Sequence, residues 1–240
     1  MEKILSNSHT QLQYKIKKLA NPKKAVILQR FFKTGPGEYG EGDKFLGLTV
    51  PQCRALAQKY QKLSFVDVSK LLQSLFHEER LIALLILVHN FQTGDNNARQ
   101  KIYNFYLKNT KYINNWDLVD LSADKIVGAY LLNKNSTILF KLARSKNLWE
   151  RRIAIISTWQ FIKNDKFDLT IKLSRPLLKD EHDLMHKAVG WMLREVGKRD
   201  KKTLINFLHR YHTQMPRTAL RYAIERFSET ERRAWLTTKL

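Results

Sequence analysis

Apolar residues in this chain recur at three- and four-residue intervals, as in SKLLQSLF at 69–76, and no sustained run of period two bounded by hairpin turns occurs along it. Such a pattern buries one stripe on each of many helices and gives strands no place. Helix-start signals recur at short intervals. Asn21 before Pro22 opens a helix expected to run through Phe32, with proline where a missing N–H costs little. Thr49 precedes VPQCRALAQKY, and Pro216 begins PRTALRYAIERF. Ser64 with Asp67, Asp180 with Asp183 and Ser228 with Glu231 each place a capping side chain three residues before an acid. About a dozen modest helices with short links suit consecutive antiparallel pairs. The expectation is an all-α chain forming a single domain over 1–240, a HEAT-like helical-repeat solenoid of antiparallel helix pairs with a concave basic groove. No strict sequence repeat is visible, so a compact helical bundle stays the alternative.

Charge narrows the choice of partner. The chain carries 43 Lys and Arg against 22 Asp and Glu, a net +21, spread over KIKK, NPKK, two ERR triplets and KRDKK. Solubility needs far less charge, and a distributed excess points to a long polyanion, nucleic acid above all. The longest apolar run, LIALLILV at 81–88, is too short for a bilayer and reads as a buried helix. MEKILSNSHTQLQYK lacks an apolar stretch with a small-residue cleavage site, so a cytoplasmic, nucleoid-associated protein is expected. Cys53 is the single cysteine and sits at a helical apolar position in PQCRALAQ, which makes it a core thiol and excludes an internal disulfide. No dimer helix is evident, and a monomer is expected.

Two segments combine tryptophan with charge. In NNWDLVD at 114–120, a helix continued at about 100° per residue sets Trp116 and Asp120 on one face, away from an apolar arc of Leu118, Val119, Ile126, Ala129 and Tyr130. Asp117 is accounted for by the helix dipole. Asp120 is either a salt-bridge partner for one of the many arginines or a functional carboxylate; its position alone leaves both open. In HDLMHKAVGWMLREVGKRD at 182–200, Met185, Val189, Met192 and Val196 form an apolar stripe. Lys187, Gly190, Trp191, Arg194 and Lys198 gather toward the other side, the glycine lowering the surface beside the indole. His182 and His186 have the spacing of a zincin helix, but Asp183 stands in place of its glutamate, and His209 and His212 fit no zincin pattern; no metal site and no cofactor are expected. TGPGEYGEGDKFLG at 34–47 follows no strand and precedes no Gly-Lys-Ser/Thr, so it reads as a connecting loop rather than a phosphate cradle.

NNWDLVD, NLWERRIAII, HKAVGWMLREVGK and MPRTALRYAIERF resemble, in that order, segments of the AlkD-type DNA alkylation-repair glycosylases, a family of HEAT-like solenoids, and GEYGEGDKFLGLTVPQCR extends the likeness. The resemblance implies an active cleft with Trp116, Asp120 and Trp191 as its catalytic residues and Arg152 on phosphate. It further implies a monofunctional glycosylase that removes cationic N3- or N7-alkylated purines from double-stranded DNA without full base flipping. Lys187, Arg194 and Lys198 are then expected to hold DNA. Some relatives bind DNA without cleaving it, so the alternative is a non-catalytic HEAT-like protein that binds bent or branched DNA.

Overall fold

The computed structural model of the chain describes residues 8–237. Among these residues every regular element is helical, and the strand-type pairing is limited to an isolated bridge between Lys44 and Phe76. The chain falls into two compact units that divide after Ser122.

The first unit holds α1 (His9–Leu19), α2 (Pro22–Phe31), α3 (Val50–Lys59), α4 (Phe65–Leu72), α5 (His77–Thr93), α6 (Asn96–Lys108) and α7 (Trp116–Asp120). Its centre is α5, on which α3, α4 and α6 pack. All eight residues of LIALLILV are buried there, as the run suggested. Cys53 is fully buried on α3, and burial, reinforced by the nearby Glu78 and Asp117 charges, pushes its thiol up to about 12. It is an inert core group.

The second unit opens on a π turn at Asp124–Gly128 and continues through α8 (Ala129–Leu131), α9 (Thr137–Leu142), α10 (Leu148–Ile162), α11 (Asp168–Leu177), α12 (Asp183–Arg199), α13 (Lys201–Tyr211), α14 (Arg217–Ala223) and α15 (Glu229–Thr237). Here α10 packs on α9, α11 and α12, and α12 packs on α13 and α14. Within each unit most packing joins helices close in sequence, the habit of helical-repeat folds.

Most start signals act as their chemistry suggests. Thr49 and Gln52 form a reciprocal capping box on α3, and Ser228 and Glu231 do the same at α15. Ser64 Oγ accepts from Asp67 N at 3.1 Å. Asp180 departs from expectation. It takes the Arg151 guanidinium at 2.6 Å and accepts from His182 N at 3.0 Å, while His182 itself caps α12 by accepting from Leu184 N. The WDLVD helix, expected to continue to Tyr130, stops at Asp120; a turn at 121–122 separates it from the π turn, where Gly128 lies against α10 and a Cβ on it would stand 2.2 Å from Ser157 O. Leu118, Val119 and Ile126 are fully buried even so.

Candidate functional site

One turn of helix, α7, presents Trp116 and Asp120 to a cavity of about 470 Å³ within the first unit. Its walls are largely aromatic and aliphatic, with Phe31, Phe32, Phe45 and Leu48 among them. Asn115 starts the turn by accepting from Trp116 N at 2.8 Å. Trp116 is half-buried and less open than expected. Its indole stacks on Phe32 (5.1 Å between centroids, 16° between planes) and meets the edge of Phe31, joining the small core of Ala25, Phe32 and Phe45. The expectation that its ring avoids the core is therefore corrected: Phe31 and Phe32 of the α2 region close on the indole, a contact that spacing along one helix does not report. Asp120 is also half-buried and lines the cavity.

Asp117 is more than a dipole partner. It is 6% exposed, and its Oδ2 lies 2.8 Å from His77 Nε2. His77 Nδ1 lies 3.2 Å from Asp43 Oδ2, so the imidazole bridges two carboxylates. Arg80 Nη2 reaches Asp43 Oδ1 at 2.6 Å as an ion pair without an aligned N–H, and Asn114 donates to the same oxygen at 3.0 Å. Beside this network Glu78 accepts from the backbone N–H groups of Leu46, Gly47 and Leu48 at 2.7–3.1 Å. The glycine-rich loop is thus anchored by carboxylates of its own protein and offers no cradle to phosphate. Gly47 is required where it stands: its φ is +86°, and a Cβ would fall 2.1 Å from Asn21 O.

Burial disfavours charge on His77, but the Asp117 and Asp43 carboxylates outweigh it and raise the imidazole to about 9. Because the folded value lies above the unfolded one, the stabilisation is complete below about pH 6.5 and is lost as pH rises through about 9. At roughly 1.4 kcal/mol per unit the loss is on the order of 3 kcal/mol. Melting temperature measured from pH 6 to 10 should fall over that window in the wild type, and the fall should be much smaller in His77→Gln.

The second unit carries the remaining expected residues. Trp191 on α12 is half-buried and meets the edge of Trp159 at 5.1 Å, while Lys163 lies over the Trp159 ring at 5.2 Å. The predicted apolar stripe of Met185, Val189, Met192 and Val196 is fully buried. Gly190 does not lower an exposed surface. It lets α14 close on α12, since a Cβ would meet Ala219 O at 2.5 Å and Tyr222 Cβ at 2.6 Å. Lys187 pairs with Asp183 at 2.7 Å, Lys198 with Glu195 at 2.8 Å, and Arg194 with Glu195 and Glu225. Arg152 is 5% exposed, and its Nη1 donates to Leu184 O at 2.6 Å, which ties α10 to α12. His186 bonds the Asp180 carbonyl, which with the capping role of His182 gives both zincin-spaced histidines structural partners. Among the described residues no three His, Cys, Asp or Glu side chains cluster as a metal site, and no helix is long and apolar enough to cross a membrane.

Sequence reasoning missed His77, Asp43, Glu78 and Trp159. A signal for the first and third was present: HEER stands immediately before eight apolar residues, so its helix has no polar face on which to expose them.

The family model described as DNA alkylation repair enzyme matches residues 12–227. A solved structure described as a predicted DNA alkylation repair enzyme from Enterococcus faecalis is similar in fold, with a TM-score of 0.69 at 19% identity over 88% of this chain and 97% of that one. No curated protein matches the chain in sequence.

Proposed function

Since the chain belongs to the DNA alkylation repair enzyme family, we propose that it is a monofunctional DNA N-glycosylase hydrolysing the glycosidic bond of cationic N3- or N7-alkylated purines in double-stranded DNA. The observation that carries this reading is the pairing of Asp120 with Trp116 on one helical turn facing an aromatic cavity, in a protein of net charge +21. A carboxylate there opposes phosphate binding. It gains by the charge that appears during reaction.

Alkylation leaves the purine cationic and a good leaving group. As its bond to C1′ breaks, the electron pair moves onto the base and neutralises it, and positive charge grows on the deoxyribose. Asp120 stabilises that sugar cation and orients the water whose oxygen bonds to C1′; the water's proton passes to solvent, leaving an abasic site. The indole of Trp116, at the cavity, favours a cationic base over a neutral one, and the resemblance alone assigns Trp191 a contact with the lesion nucleotide. Uracil and undamaged purines should then be poor substrates, because a neutral base must leave as an anion or first be protonated, whereas the cationic base leaves neutral. Lys187 and Lys198 are proposed to hold phosphate by exchanging Asp183 and Glu195 for it; such partly exposed pairs are weak enough to be traded.

Binding to undamaged duplex should weaken steeply with salt, and Lys187→Ala with Lys198→Ala should flatten the slope on every sequence alike. A salt-independent affinity would contradict the electrostatic reading. Trp191→Ala is expected to slow excision roughly tenfold by removing its contact with the lesion. Trp116→Ala should slow excision too, but it should also lower the melting point, because the indole is stacked on Phe32.

A further inference from the structure

We propose that His77 is a positioning residue: it sets the pose of Trp116 and Asp120 by clamping the first turn of α7 to the segment around Asp43.

A helix of five residues has too few internal hydrogen bonds to hold its own geometry, so its placement is fixed by outside ties. Two routes lead from His77 to it. The polar route runs from His77 Nε2 to Asp117 Oδ2, while Asp117 Oδ1 accepts from Leu118 N at 2.9 Å inside the same turn. It is doubled from the other ring nitrogen through Asp43 to Asn114, two residues before Trp116. The aromatic route is a stack: His77 lies on Phe45 at 4.5 Å and 19°, Phe45 on Phe32 at 5.0 Å and 21°, and Phe32 on Trp116. His77 is 2% exposed and is itself pinned, its backbone N donating to Lys44 O at 2.8 Å.

The charged groups acting on the ring are Asp117 from α7, Asp43 from the loop and Arg80 from α5; the neighbouring Glu78 carboxylate is bound to the backbone of Leu46, Gly47 and Leu48, and the Cys53 thiol on α3 feels Glu78 and Asp117. Asp117 and Asp43 favour the imidazolium, Arg80 opposes it, and the balance keeps His77 charged to about pH 9. Loss of that proton breaks one of the two carboxylate links and leaves the α7 turn held from one side fewer.

The inference rests on the glycosylase reading only for its rate measurement. Indole N–H resonances of the full chain, assigned by single Trp→Phe variants, are followed by NMR from pH 6.5 to 10 beside the His77 ring signals and the single-turnover excision rate. The Trp116 resonance should titrate with His77, the Trp191 resonance should not, and the rate should fall at least tenfold above the same midpoint. Asp43→Asn should move the Trp116 and rate midpoints down together by a pH unit or more. In His77→Gln the Trp116 titration should vanish. A purely structural histidine would lower melting temperature in both variants without that shared midpoint. A Trp116 resonance indifferent to His77 titration would overturn the proposal, as would a wild-type rate in folded His77→Gln. If the wild type excises nothing, the glycosylase reading fails and the Trp116 resonance still decides the positioning role.

Discussion

Asp120→Asn should slow single-turnover excision of 7-methylguanine roughly ten- to a thousandfold, about 1.4 to 4 kcal/mol of barrier, while duplex affinity stays level or rises. Asparagine keeps the volume and the hydrogen-bonding capacity of the side chain but removes the charge that opposes the sugar cation. Removing an acid from a protein of net charge +21 also relieves repulsion with phosphate, so binding and rate part company. A carboxylate whose role is to brace α7 predicts another pattern, in which stability, affinity and rate fall together. Melting temperature, affinity at fixed salt and rate should therefore be taken on one preparation. An unchanged rate would remove Asp120 from the chemistry and favour a protein that binds DNA without cutting it.

Glu78→Ala should be the most damaging single change to the fold of the first unit, lowering stability on the order of 3 kcal/mol. The carboxylate is 2% exposed and is the acceptor for three successive backbone N–H groups at Leu46, Gly47 and Leu48. Truncation strands those donors beside α5, one of them on Gly47, whose φ is +86°. Glu78→Gln restores one acceptor oxygen and should recover part of the loss. Urea melts of the three proteins test this. A loss below about 1 kcal/mol in the alanine variant would show that the loop is held by its other contacts, Asp43 foremost.

What could be read in the sequence follows the range of the interaction. Caps span three residues, so Ser64–Asp67 and Ser228–Glu231 were legible, and the buried stripe of α12 followed from spacing on a helix long enough to keep its phase. On WDLVD the spacing set Trp116 and Asp120 together and Leu118, Val119 and Ile126 inside, but it could not anticipate the π turn beyond Leu121 or Phe32 arriving from α2 to stack on Trp116. The bonds of Asp43 and Asp117 to His77 cross 34 and 40 residues, distances over which no local pattern carries information. The bond from Arg152 Nη1 to Leu184 O spans 32 residues and is likewise invisible to any local pattern. Helical class, charge and the Trp116–Asp120 pair were visible beforehand, whereas the clamp behind that pair needed coordinates.

The central claim is that this chain breaks the glycosidic bond of a cationic purine, and the most direct test is to incubate the wild-type protein with methylated duplex DNA and measure released free base by chromatography. The account predicts free 7-methylguanine and 3-methyladenine, with abasic sites left in matching amount and no release from uracil-containing or undamaged duplex. Tight, salt-sensitive binding with no free base above the spontaneous rate would contradict it.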